Sequence, residues 1–142
     1  ASARSRYQAP VTERITPLLQ RLLGEAQLAF DDALGVTGLT RGGTEEAIER
    51  LSGGTREQIA VIVRLGFGRL LADTGLAAPL LLDDPLVFSD DRRMERMLGI
   101  LTEAAEHHQV IVLTCREAAF AGLHGTRLTL QPWERQIATA AE

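Results

Sequence analysis

Two adjacent carboxylates, Asp83 and Asp84, end an apolar run that begins at Pro79, and Pro85 follows them. A continuous aliphatic run predicts a buried strand of a parallel sheet, and ligands of such sheets bind at the edge where the strands end. A carboxylate at that edge can hold Mg²⁺, and a second one beside it can polarise an attacking water. The simpler alternative is that the two acids and the proline only end the strand and begin a turn.

A second candidate site is the turn Ser52-Gly53-Gly54, which leads into a predicted helix from about residue 55 to 72. Apolar residues recur in this helix with a period near 3.6, so one of its faces is expected to pack on a core. The two glycines are expected to leave backbone N–H groups uncovered at the positive end of the helix dipole, beside the Ser52 hydroxyl. Such an arrangement suits a phosphate group. The alternative is an ordinary serine-capped helix that follows a glycine turn.

Periodicity and turn residues predict the elements that surround these two sites. Upstream they are a helix with Thr16 as its cap, Pro17 at its first position and Gly24 at its end, strands over 27–30 and 36–40, a loop over 41–43 and a helical turn over 45–50. Downstream they are a strand over 79–84, a helix over 92–108 capped by Asp90 or Asp91, a strand over 110–114, a short helix over 117–121 and a strand over 126–130. A strand, a helix and a strand in that order predict a parallel crossover unit.

Length and composition are those of one globular domain. The 142 residues can bury a sizeable core, and the net charge of -4 argues against a broadly basic surface for nucleic acid, although Arg92, Arg93 and Arg96 cluster locally. The single cysteine, Cys115, excludes an internal disulfide and fits a reducing compartment. No apolar run approaches the ~20 residues that cross a bilayer, and no signal peptide is visible, so we expect a cytoplasmic protein without a membrane partner. Because the first residue is Ala1, we expect a piece of a longer polypeptide.

Taken together and in this order, the motifs resemble those of the C-terminal lobe of ABC-type ATPase heads. Residues 51–55 are similar to the ABC signature, 80–84 to the Walker B strand, and 87–90 to the D-loop. The strand over 110–114 is similar to the one that leads into the switch residue. The combination of the motifs at residues 51–58, 82–85 and 114–115 is similar to SMC- and RecF-like coiled-coil ATPases of the YhaN kind. The resemblance covers about residues 4 to 130.

This resemblance implies an α/β fold of the P-loop NTPase type, with a mostly parallel sheet flanked by helices. A small antiparallel β piece is expected near the N-terminus. Residues 1–142 would form a single domain, the C-terminal half of an ATPase head. Within it, residues 1–9 are the possible end of a coiled coil and 131–142 a tail.

The resemblance also implies roles for individual residues. Asp83 would be the Mg²⁺ ligand, and Asp84 would be the catalytic base, where the superfamily usually has glutamate. Arg116 stands at the switch position, where histidine is usual, and a guanidinium cannot relay a proton because it does not deprotonate. The residues that would contact nucleotide across a two-head interface are Ser52, Gly53, Gly54, Thr55 and Asp90.

The implied function is ATP binding and hydrolysis by a head that pairs with a second head, in DNA repair or chromosome maintenance. ATP and Mg²⁺ are the expected cofactors, and DNA is a possible partner. The sequence contains no G-x-x-x-x-G-K-S/T, so we expect the phosphate-loop (Walker A) lobe to lie elsewhere and the isolated chain to be inactive. Two alternatives stay open: a fragment of an ABC transporter ATPase subunit, and a non-catalytic interaction module derived from an ATPase head.

Overall fold

The computed structural model describes residues 3–131, with side chains described from residue 7 onward. In chain order the elements are α1 (Ala3–Leu23), β1 (Ala26–Phe30), β2 (Val36–Arg41), β3 (Thr44–Ala47), a 3₁₀ turn (Ile48–Arg50), α2 (Gly53–Asp73), β4 (Leu80–Asp83), α3 (Asp91–Ala104), β5 (Val110–Leu113) and a second 3₁₀ turn (Glu117–Phe120). Strands β1, β2 and β3 form an antiparallel sheet, and β4 and β5 form a parallel one. The predicted α/β class is confirmed. Beyond residue 131, the predicted tail lies outside the described residues.

Helix α1 begins well before the predicted cap at Thr16, and both Pro10 and Pro17 lie inside it. The buried positions of the helix are Val11, Ile15, Leu19 and Leu22, which follow Pro10 and repeat at helical spacing on both sides of Pro17. The predicted helix start is therefore wrong, because packing of this apolar face on the core outweighs the local cost of proline in a helix. Gly24 ends the helix as predicted, with a φ of 75° that suits a glycine.

The antiparallel sheet contains one strand that the sequence pattern does not predict, β3, which pairs with β2. Gly42 and Gly43 both have positive φ, 54° and 78°, as a two-residue hairpin turn requires. This turn reverses the chain at once, so Thr44–Ala47 continues as a strand. The helical turn predicted over 45–50 is confined to Ile48–Arg50. The two strands predicted before this turn are confirmed as β1 and β2.

The parallel sheet joins the two aliphatic runs, with Leu80 opposite Val110. Helix α3 lies between these strands in the chain, so the predicted strand–helix–strand unit is confirmed. The aliphatic runs predict that both faces of these strands are buried, and this prediction is wrong for the described structure. Leu82 on one face is buried in the core, whereas Leu81 on the other face is 58% exposed, because the described elements cover that side only in part.

The strand predicted over 126–130 is not formed in the described structure. Leu128 and Leu130 are exposed there, and the segment pairs with none of the described strands. Alternating β-favouring residues do not make a strand without a partner edge, because the backbone hydrogen bonds of a strand are made to its neighbour. The short helix predicted over 117–121 is confirmed as a 3₁₀ turn.

The core lies where the three helices meet the strands. Helices α1 and α2 approach closely at Gly66, where an added Cβ would overlap Cγ1 of Ile15. Among the described residues, the large side chains that are less than 2% exposed are Ile15, Leu19, Leu22, Leu39, Ile59, Ile62, Leu65, Leu86, Met97, Ile100, Leu101 and Gln58. Gln58 is the polar member of this set. Within residues 3–131, none of the helices has both the length and the apolar character needed to cross a bilayer.

Candidate active site

The acid pair lies at the carboxyl edge of the parallel sheet. Asp83 is the last residue of β4 and is exposed, and Asp84 follows it with a φ of 43°. This left-handed conformation is uncommon for residues other than glycine and is concentrated at functional sites. The backbone N–H of Asp84 donates to the carbonyl of Leu113 at 2.7 Å, which extends the pairing of β4 and β5 as far as the second acid.

Both carboxylate oxygens of Asp84 accept hydrogen bonds from residues that follow β5. Thr114 Oγ1 donates to Oδ1 at 3.0 Å, and Cys115 Sγ donates to Oδ2 at 3.5 Å. Thr114 Oγ1 in turn accepts a hydrogen bond from the backbone N–H of Arg116 at 3.0 Å. Neutral donors therefore hold the Asp84 side chain in one orientation. A carboxylate offers about four acceptor sites, so capacity remains for a water molecule.

The structure also brings Arg116 close to Asp84. Its Nη2 donates to the carbonyl of Pro85 at 3.1 Å, and its Nη1 donates to that of Val87 at 3.5 Å. Its Nε lies 3.9 Å from Asp84 Oδ1 and is buried without a hydrogen-bond partner among the described residues. The guanidinium thus spans the carbonyls after the acid pair and places its positive charge beside the second acid.

The turn Ser52-Gly53-Gly54 forms the N-terminus of α2. Ser52 Oγ accepts a hydrogen bond from the N–H of Thr55 at 3.2 Å, so the serine caps the helix. Ser52 and Gly53 are exposed, whereas Gly54 and Thr55 are buried. A Cβ on Gly54 would lie 2.5 Å from the carbonyl oxygen of Phe88. The expectation of an uncovered backbone is therefore correct for Gly53 and wrong for Gly54, where the missing side chain permits close packing instead.

The 87–90 segment, the predicted D-loop, packs against the start of α2. The N–H of Phe88 donates to Glu57 Oε2 at 3.1 Å, and Gln58 Nε2 donates to Ser89 Oγ at 2.7 Å. Neither Glu57 nor Gln58 is predicted as a site residue by the motifs. A signal for Gln58 exists in the sequence, because it falls on the apolar face of α2, where a polar side chain needs a partner.

Asp90 caps helix α3. Its Oδ1 accepts a hydrogen bond from the N–H of Arg93 at 2.9 Å, and its Oδ2 lies 3.4 Å from Arg93 Nε. Arg93 Nη1 also donates to Thr55 Oγ1 at 3.3 Å. Arg96 Nη1 donates to the carbonyl of Leu22 at 2.9 Å. Two of the three arginines of the local cluster, Arg93 and Arg96, are therefore bonded to acceptors of this chain.

The metal chemistry of the site depends on a small set of donors. Within the described part of the chain, no group of three or more His, Cys, Asp and Glu side chains lies close enough together to hold a metal ion. Mg²⁺ at a nucleotide needs only one or two carboxylates, because phosphate oxygens and waters supply its other ligands. The exposed carboxylate of Asp83 beside Asp84 fits that donor set.

Comparison with known proteins shows sequence relatives that are much longer than this chain. No protein-family model matches it. It is 31% identical over 125 residues to an uncharacterised protein of Mycobacterium tuberculosis, an alignment that covers 87% of this chain and 14% of that protein. It is 28% identical over 119 residues to the DNA double-strand break repair Rad50 ATPase of Methanocaldococcus jannaschii, covering 78% of this chain and 12% of that protein. The chain thus spans about one seventh or less of the length of these relatives.

Solved structures of SMC ATPases share the fold. One of them, from work on the ATP-driven dimerisation and DNA-stimulated activation of SMC ATPases, aligns with a TM-score of 0.67 at 18% identity. The alignment covers 91% of this chain and 81% of that chain. At this level of identity the structural likeness establishes the fold, and the relationship to Rad50 comes from the sequence. In sequence and in fold, the chain resembles a fragment of an SMC/Rad50-like ATPase head.

Proposed function

We propose that the chain is the lobe bearing the signature and Walker B motifs of an ATPase head that binds and hydrolyses ATP between two paired heads. Its similarity to SMC and Rad50 ATPases supports the ATPase class. The observation that carries the proposal is the acid site, where Thr114 and Cys115 bind both oxygens of Asp84. A turn that only ended a strand would not need its second acid to be oriented by the end of the neighbouring strand.

In this proposal the acid site serves the nucleotide bound by the head's own phosphate loop. Asp83 would hold Mg²⁺, which when bound neutralises charge on the phosphates. Asp84 would accept a hydrogen bond from the attacking water and take its proton. Arg116 would place a permanent positive charge beside the γ-phosphate, stabilising negative charge without relaying a proton. Because aspartate is one methylene shorter than the usual glutamate, we expect slow turnover.

The signature turn would serve the nucleotide of the opposing head. Ser52 and Gly53 are exposed at the N-terminus of α2, where free N–H groups and the helix dipole favour a phosphate. Gly54 and Thr55 are buried, so they would act by shaping the turn that presents these groups. Asp90, which is exposed at the start of α3, would contact the opposing head across the interface.

Most of the contacts that bind the nucleotide would come from a second lobe. The 142 residues contain neither the phosphate-loop sequence nor any lysine, and P-loop ATPases hold the phosphates with that loop and its lysine. We therefore propose that a phosphate-loop lobe, on the same polypeptide or on another chain, completes the head. A coiled coil that includes residues 1–9, and a cytoplasmic location, are part of the same proposal. DNA is the proposed client, because a relative is named for DNA double-strand break repair.

The experiment that tests this function measures ATP turnover of the chain combined with a phosphate-loop lobe. Asp84→Asn removes the negative charge of the base, and we expect turnover to fall about 100-fold or more while ATP binding is retained. Glu106→Gln, which removes one exposed carboxylate near the end of α3, is the matched control and should leave turnover unchanged. Unchanged turnover in Asp84→Asn would overturn the assignment of the base. ATP binding without turnover in the wild-type protein would favour the non-catalytic interaction module.

The transporter alternative differs in the sequence expected upstream of the signature. A transporter subunit would carry a glutamine loop and a helical subdomain there, whereas an SMC-like head would carry a coiled coil. The similarity to Rad50 and SMC ATPases favours the coiled coil.

A further inference from the structure

Gln58 is a fully buried amide on the apolar face of α2. Its Nε2 donates to Ser89 Oγ at 2.7 Å, and its Oε1 is buried without a hydrogen-bond partner among the described residues. A buried amide with an unpaired oxygen costs folding free energy, whereas a leucine of similar size would not. Packing of the core therefore does not explain a glutamine here, and the bond to Ser89 does.

Two further contacts join the same helix face to the same segment. Glu57 Oε2 accepts a hydrogen bond from the N–H of Phe88 at 3.1 Å, and Gly54 packs so closely on Phe88 that a Cβ would lie 2.5 Å from its carbonyl oxygen. Positions 54, 57 and 58 share one face of the helix, because they are three and four residues apart. The start of α2 therefore contacts the 87–90 segment at the backbone of Phe88 and at the side chain of Ser89.

A link through side chains connects the end of this segment to the signature turn. Arg93 Nε lies 3.4 Å from Asp90 Oδ2, and Arg93 Nη1 donates to Thr55 Oγ1 at 3.3 Å. Thr55 Oγ1 lies 2.9 Å from Ser52 Oγ, within hydrogen-bond distance. Asp90 is thus connected to the exposed Ser52 through two intervening side chains.

We propose that Gln58 and Glu57 are positioning residues that lock the 87–90 segment onto the start of α2. Ser52, Gly53 and Asp90 then meet an opposing head as one rigid surface. That this surface faces a second head rests on the proposed function. The attachment of the 87–90 segment to the start of α2, which we call the lock, rests on the contacts described above. Because the two parts move together, binding of a phosphate at the signature turn and contact at Asp90 stabilise each other.

The lock is tested by amide hydrogen exchange in the chain itself. Gln58→Leu keeps the size of the side chain and removes the bond to Ser89. Ser89→Ala removes the same bond from a half-buried position, so it decides the question even if Gln58→Leu does not fold. We expect each variant to raise exchange at residues 88 and 89 about tenfold, and the double variant to add little further.

Controls separate the lock from general destabilisation. Val61→Ala, at another buried position of α2, should raise exchange across the helix without singling out residues 88 and 89. Ser89→Thr retains the hydroxyl and should retain the protection. Unchanged exchange at residues 88 and 89 in Ser89→Ala, or the same pattern in Val61→Ala, would overturn the lock.

The coupling is tested by ATP turnover of the chain combined with the phosphate-loop lobe. We expect Gln58→Leu to lower kcat about tenfold with KM for ATP nearly unchanged, because the phosphate loop supplies most of the nucleotide binding and the lock positions the surface that closes on the bound nucleotide. A rise in KM that accounts for the whole loss would overturn the coupling. Absence of turnover in the wild-type protein would overturn the proposed function, and hydrogen exchange would still decide whether the lock exists.

Discussion

Thr114 Oγ1 donates a 3.0 Å hydrogen bond to Asp84 Oδ1, so the residue after β5 orients the acid after β4. The two residues are 30 positions apart in the chain. They meet because β4 and β5 pair in parallel and end at the same edge of the sheet. Thr114 is itself placed by the backbone, since its hydroxyl accepts the N–H of Arg116.

Thr114→Val removes this hydroxyl and keeps the branched shape of the side chain. We expect kcat of the completed head to fall about tenfold, because Asp84 loses a donor that orients it toward the water. Thr114→Ser keeps the donor and should keep most of the turnover. Steady-state ATPase assays of the three proteins check this, and equal kcat values would show that the hydrogen bond does not orient the base.

Arg116→Lys keeps the positive charge but cannot reproduce the fork that binds the carbonyls of Pro85 and Val87. We expect an intermediate kcat in this variant and a lower one in Arg116→Met, which loses both charge and bonds. ATP turnover and the midpoint of urea unfolding are measured for each protein. If Arg116→Lys matched the wild type, charge alone would be sufficient at this position.

Gly54 and Gly53 are adjacent glycines at the start of α2 that differ in how closely Phe88 packs against them. A Cβ at Gly54 would lie 2.5 Å from the Phe88 carbonyl oxygen, whereas at Gly53 the nearest atom, Phe88 Cδ2, would lie 3.9 Å away. We expect Gly54→Ala to lower the free energy of unfolding by about 1–3 kcal/mol, because the backbone of the neighbouring segment must move. Gly53→Ala should change it by less than about 0.5 kcal/mol, as is usual for an exposed position. Urea unfolding of the two variants checks this, and equal losses would contradict the packing.

We expect His108 to make the stability of the fold depend on pH. It is buried, and neither ring nitrogen has a hydrogen-bond partner among the described residues. Burial lowers the pKa of His108, and the charges of His107 and Arg69 lower it further. The unfolded chain therefore binds the proton first as the pH falls below the ordinary value of about 6.5. The free energy of unfolding should decrease below that pH and level off below the lowered pKa of the folded state.

Urea unfolding at pH 7.5 and at pH 5.5 measures this effect. His108→Leu removes the titrating group from the apolar site, so it should reduce the difference between the two pH values. His107→Gln, at the exposed neighbour, should retain most of the difference. An equal pH dependence in the wild type and in His108→Leu would assign the effect to other groups.

Predictions from the sequence succeed where a segment's own residues decide its structure. The aliphatic runs at β4 and β5, and the periodic segment at α2, can be recognised from their own residue types. These predictions fail where contacts with residues distant in the chain determine the structure of a segment. Helix α1 continues through Pro17 because its buried face, on both sides of that proline, packs on the core. The segment over 126–130 is no strand, and none of the described strands pairs with it.

The candidate site divides in the same way. The sequence alone identifies the order and the chemistry of the motifs, because each motif is a short run of residue types. Examples are the two acids after one aliphatic run and the glycines before one helix. Only the tertiary structure decided that Thr114 and Cys115 bind Asp84, that Gly54 is buried, and that Gln58 reaches Ser89. These contacts depend on the register of two strands and on the packing of one helix against a loop. Residues about 30 positions apart must therefore be placed to within the length of a hydrogen bond, and no local pattern specifies that distance.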